Sequence, residues 1–100
     1  MENKSDAMKA MVINADGTYT NVVPNNGTDF SLSELQKFVD GHIEVLFSLD
    51  GKNIMVLNEE GKIHDLPYNI VATNIANEMF GLFGDYIAGN VLVCDCSMIK

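Results

Sequence analysis

The sequence predicts an α+β domain, a mostly antiparallel sheet of about five strands with two helices packed on one face, in the order β-β-α-β-β-(β)-α-β. Three features predict it. Asp16-Gly17 and Asp50-Gly51 each stand between apolar runs, as β-hairpin turns do. Two segments, about Leu32 to Val39 and Ile70 to Phe80, repeat apolar residues at helical spacing. The 100 residues are 47% hydrophobic and 20% charged, enough for one core but not for two.

Met8 to Ile13 reads as the first strand and Thr18 to Val23, rich in Thr, Tyr and Val, as its hairpin partner. Pro24-Asn25-Asn26-Gly27 ends the pair in a loop. Ser31 and Glu34 are spaced as a capping box, and Phe30 and Leu35 as a hydrophobic staple. Gly41 stands where a left-handed C-cap would close this first helix. His42 to Phe47 alternates, with Ile43, Val45 and Phe47 on one face, and Asn53 to Leu57 returns after the Asp50-Gly51 turn. Asn58 to Lys62 is a polar turn, and Ile63 to Leu66 reads as a short strand broken by Pro67. Asn69 caps the second helix, whose Val71, Ile75 and Met79 form a stripe with Ala72 and Ala76 alongside. Tyr86 to Cys94 is the longest strand candidate, and its apolar middle, Val91-Leu92-Val93, marks it as central. Residues 1–7 read as a flexible N-terminal tail, 8–96 as one domain and 97–100 as a C-terminal tail.

The formal net charge is −8, with no Arg and six scattered Lys. Such a field repels phosphate, so direct nucleic-acid binding is not expected. No apolar stretch approaches the roughly 18 residues of a membrane-spanning helix. The polar start, Met1 to Asp6, does not read as a secretory signal, and the expected location is the cytoplasm. Cys94 and Cys96 are too close together to staple distant parts of the chain.

Four blocks in order carry a family resemblance. They are Gly41-His42-Ile43-Glu44, Asn58-Glu59-Glu60-Gly61-Lys62, Leu66-Pro67-Tyr68-Asn69 and Gly84-Asp85-Tyr86-Ile87-Ala88-Gly89. With the opening strand Lys9 to Ile13, the pattern resembles the domain of unknown function 3846, a family of short proteins from bacteria, phages and mobile elements. It departs at Asp40-Gly41-His42, where that family often has Gly-Gly and an aromatic residue. The resemblance covers about Met8 to Val93 and implies a small intracellular domain with no known activity or cofactor.

Several residue types invite a chemical reading. Cys94 and Cys96 fall on one face of a strand, and with His42 and His64 they match the composition of a four-ligand zinc set. The spacing matches no zinc motif, and strand thiols are ordinary core residues. His42 and Glu44 share a strand face, the pairing that orients an imidazole for general-base work, but no nucleophile is spaced to complete it. Asn58 to Lys62 lacks the late bidentate Glu of a calcium loop and reads as a solvated turn. Gly81, Gly84 and Gly89 do not form a phosphate loop. Phe47, Leu49, Leu82 and Phe83 are candidates for an exposed apolar interaction surface.

The leading expectation is a non-enzymatic interaction or accessory module that binds a protein partner or itself. A second is a small metal-binding protein or enzyme using His42, Glu44, His64, Cys94 and Cys96. A third is an acidic decoy against a nucleic-acid-binding protein. Imitating about 30 Å of duplex takes roughly 18 aligned charges. The 14 acids here are scattered along the chain.

Overall fold

The computed structural model describes residues 10–82 and 84–99. The tail predicted at 1–7, and Met8 and Lys9 of the first predicted strand, lie outside the described residues. β1 (Ala10–Ile13) and β2 (Tyr19–Asn21) form the first antiparallel hairpin. Asn14 accepts the Gly17 amide and donates its own to Thr18 to close the turn. α1 (Leu32–Val39) begins with both halves of the capping box: Ser31 Oγ accepts from Glu34 N at 3.2 Å, and Glu34 Oε1 accepts from Ser31 N at 2.8 Å. Glu34 Oε2 also accepts from Asn25 N, and the amides of Ser31 and Asn25 hold this carboxyl below its ordinary range. The left-handed residue at the helix end is Asp40 (φ 63°), one position before the predicted Gly41. A short polar side chain tolerates this region.

β3 (Ile43–Phe47) and β4 (Asn53–Asn58) form the second hairpin, and α2 (Ile70–Met79) leads to β5 (Val91–Asp95). The sheet order is β2-β1-β5-β4-β3, antiparallel throughout. β5 is central, as its apolar middle predicts. It starts at Val91 rather than Tyr86, because Gly89 (φ 89°) turns the chain just before it. The short strand expected at Ile63 to Leu66 is instead a turn. His64 N bonds Glu60 O and Leu66 N bonds Gly61 O, so these amides are satisfied locally and do not join a sheet ladder.

The helices do not share a face of the sheet. Ala10, Val12, Ile54, Val56, Leu92 and Cys94 pack with Leu35 and Val39 of α1. Ile13, Met55, Leu57 and Val91 pack with Ala72 and Ala76 of α2. Strand residues alternate between faces, so the two clusters lie on opposite sides. The reason is legible in β4: Ile54-Met55-Val56-Leu57 is apolar at every position, and each face of such a strand needs its own cover. α1 carries the chain across one face from edge strand β2 to edge strand β3. The buried side of α2 centres on Ala72, Thr73 and Ala76, leaving Met79 of the predicted stripe 49% exposed.

Residues 97–99, predicted as part of a tail, belong to the fold. Cys96–Met98 form a 3₁₀ turn, Met98 is buried in the α1 cluster, and Phe30 N donates to Met98 O at 2.8 Å.

Candidate functional site

A groove of about 270 Å³ opens on the α2 side of the β3–β4 hairpin. Leu46, Leu57, Ile87 and Leu82 supply its apolar lining. Glu44, Glu59, Glu60 and Asp85 supply four carboxylates, and Lys62 a single ammonium. Lys62 is already engaged: its Nζ donates to Asp85 and lies 4.5 Å from the centre of the Tyr86 ring. The Lys62 ammonium, then the Tyr86 amide, hold the Asp85 carboxyl below its ordinary range. Tyr86 packs edge-on to Tyr68, with ring centres 5.6 Å apart.

Two buried asparagines hold the groove together. Asn58 Nδ2 donates to Val39 O (3.0 Å) and Asp40 O (3.1 Å), and its Oδ1 accepts from Glu60 N at 2.7 Å. It thus ties the end of α1 to the acidic turn. Asn69 is fully buried. Its Oδ1 caps α2 by accepting from Ala72 N, while Nδ2 donates to Ile13 O (3.0 Å) and Gly89 O (2.9 Å). One side chain therefore joins β1, α2 and the loop before β5. Thr73 Oγ1 accepts the Ile87 amide at 2.8 Å and fixes the groove wall. Close backbone approach completes the wall: a Cβ on Gly61 would lie 2.8 Å from Ala88 O.

The four blocks that carried the family resemblance therefore converge on one end of the molecule. Glu59 N bonds His42 O, Gly61 lies against Ala88, Gly89 N bonds Pro67 O, and Asn69 N bonds Ile87 O. The sequence reads Glu59, Glu60 and Lys62 as a solvated turn and offers Leu82 as a surface residue, with no role for Asp85, Tyr86, Leu46, Leu57 or Ile87. Membership of the four blocks was the signal that could have grouped Glu59, Glu60 and Lys62 with Asp85, Tyr86 and Ile87.

The proposed chemical set does not come together. Glu44 lines the groove, and His64 Nε2 sits 3.2 Å from Glu60 Oε1 at its rim. His42 is exposed just before β3. Cys94 and Cys96 pack on the α1 face, and the sheet lies between them and the groove. Among the described residues, no three His, Cys, Asp or Glu side chains are grouped to hold a metal ion. Of the candidate surface, Phe47 and Leu49 are 64% and 70% exposed, whereas Leu82 is partly buried against the α2 cluster. Phe83 lies outside the described residues.

Burial pushes the Cys94 thiol up to about 12, with Asp95 and Cys96 adding to the shift, so no thiolate forms there near neutral pH. Cys96 is partly exposed and its Sγ bonds Gly51 O at 3.3 Å. Iodoacetamide on the native protein is therefore expected to alkylate Cys96 and leave Cys94 unmodified until denaturant is added. Mass spectrometry reads the difference, and equal native labelling would contradict the burial of Cys94.

No helix among the described residues is long and apolar enough to cross a membrane. A family model described as a domain of unknown function, DUF3846, matches residues 8–98. No curated protein and no solved structure matches the chain.

Proposed function

Because the chain belongs to the DUF3846 family, whose description assigns no activity, we propose from the groove itself that it is a cytoplasmic protein-interaction module. Its ligand is a basic segment of a partner protein that also carries apolar side chains. One observation carries this reading: an apolar floor is rimmed by Glu44, Glu59 and Glu60, while Asp85 and Lys62 pair with each other. Magnitudes divide the labour. An exposed ion pair contributes roughly 0–1 kcal/mol. Burying a valine-sized side chain contributes about 1.5–3 kcal/mol. Apolar contact thus supplies most of the affinity, while the rim selects the sign of the partner and speeds its arrival.

The test uses a short acetylated peptide alternating valine and lysine, and a second with glutamate in place of lysine. Calorimetric titration is expected to show binding of the lysine peptide alone. Affinity should fall as salt screens the rim. Exchanging two of the rim acids, Glu59→Lys with Glu60→Lys, should weaken binding by about tenfold or more. Equal binding of the two peptides, or no effect of the exchange, would overturn the assignment.

A further inference from the structure

The open edge of β3 borders the groove, and its hydrogen-bond phase can be read from the hairpin. In an antiparallel pair, residues alternate between those that bond across the ladder and those whose N–H and C=O point away. Ser48 N bonds Asn53 O, and Glu59 N bonds His42 O, each at 2.9 Å. Ile43 stands opposite Asn58 and Phe47 opposite Ile54. The even-numbered residues of β3 therefore face β4, and Ile43, Val45 and Phe47 turn their N–H and C=O outward. Among the described residues, no other strand pairs with this edge.

The opposite edge offers less. β2 has three residues, against five in β3. β3 also carries no proline, lysine or bulge of the kind that blunts an exposed edge.

The two faces beside β3 differ in chemistry. On the α2 side, Glu44 and Leu46 lead into the acid-rimmed groove. On the α1 side, a second hollow of about 300 Å³ is lined mainly by Phe30, Leu32, Leu35, Ile43 and Ile99, together with Asp29 and Ser31. Leu32 is 58% exposed there, and Phe47 is 64% exposed on the same face of β3. An added strand sends alternate side chains to opposite faces. One set would meet aliphatic and aromatic carbon, and the other would meet carboxylates.

We infer that the partner segment adds to β3 as a sixth, antiparallel strand, with apolar residues alternating with lysine or arginine. This rests on the groove reading above and specifies its mode: main-chain bonds to Ile43, Val45 and Phe47, apolar side chains over the α1-side hollow, and basic ones that lay their aliphatic stems along the groove floor and carry their charge to Glu44 and the acidic turn. Charge chooses this occupant over a second copy. The chain carries a net charge of −8, and antiparallel pairing of β3 with itself about Val45 would bring two Glu44 side chains onto one face of the added ladder.

In this geometry the apolar residues of the segment face β3 with their amides, and the basic residues point theirs to solvent. The test compares the valine–lysine peptide with versions N-methylated at the valines or at the lysines, by calorimetric titration against the full chain. Methylation at the valines is expected to weaken binding by about tenfold or more, while methylation at the lysines leaves it within about twofold. Val45→Pro should give the same loss as valine methylation. Its N–H makes no ladder bond, so the variant is compatible with the edge position. Equal binding of all three peptides would overturn strand addition and leave the groove reading standing. Absence of binding by every peptide would overturn both. Concentration-dependent dimerisation of the free chain that is lost in Val45→Pro would overturn the proposal in favour of a second copy.

Discussion

Replacing Asn69 with alanine is expected to lower the unfolding free energy by about 4 kcal/mol, the largest loss from any single side chain at this end of the molecule. The figure is built from separate costs. Removing the cap acceptor for Ala72 N costs about 1 kcal/mol. Leaving Ile13 O and Gly89 O without their buried donor costs about 1–3 kcal/mol each. Small domains are stable by about 5–15 kcal/mol, so the variant should unfold at a markedly lower urea midpoint. Asn69→Asp should not rescue it. A carboxylate still caps the helix, but it faces two carbonyl oxygens with no donor to offer. A loss under about 1 kcal/mol in Asn69→Ala would show that these bonds do not hold the groove end together.

Asn58→Ala is expected to cost about 3 kcal/mol, because Val39 O and Asp40 O lose their side-chain donor and Glu60 N loses its acceptor. A second effect identifies the cause. A Cβ added at Gly41 would lie 2.6 Å from Asn58 Nδ2, so the two positions are sterically coupled. Gly41→Ala should therefore cost less in the Asn58→Ala background than in the parent. Urea denaturation of the four proteins in that double-mutant cycle measures the coupling, expected at about 1 kcal/mol. Strict additivity would contradict the close packing of Gly41 on Asn58.

Much of this fold was legible because its signals are local. Ser31 and Glu34 announced α1, Asp16-Gly17 and Asp50-Gly51 announced the hairpins, and Asn69 announced the start of α2. What was not legible depends on contacts distant in sequence. Asn69 reads as a cap from its neighbours, but nothing local shows that its amide also reaches Ile13 and Gly89. Opposite placement of the helices was available in the two-sided apolar pattern of β4, yet two-sided burial becomes unambiguous only when the strand order is known. Met98 lies beyond a strand end, where no periodicity marks it as core. The groove was hidden for the same reason. Its acids come from β3, the turn after β4 and the loop before β5, and only the sheet assembles them. The four family blocks did foreshadow it, because their residues knit that end of the molecule.

Residue-resolved amide hydrogen exchange, read by NMR without and with the valine–lysine peptide, tests the central claim most directly. In the free protein, the amides of Glu44 and Leu46 should exchange slowly, and those of Ile43, Val45 and Phe47 fast, because the former face β4 and the latter face outward. Adding peptide should slow the three outward amides by about tenfold or more while leaving Glu44 and Leu46 unchanged. Slow exchange of the outward amides before any peptide is added, or no slowing after it binds, would contradict the account.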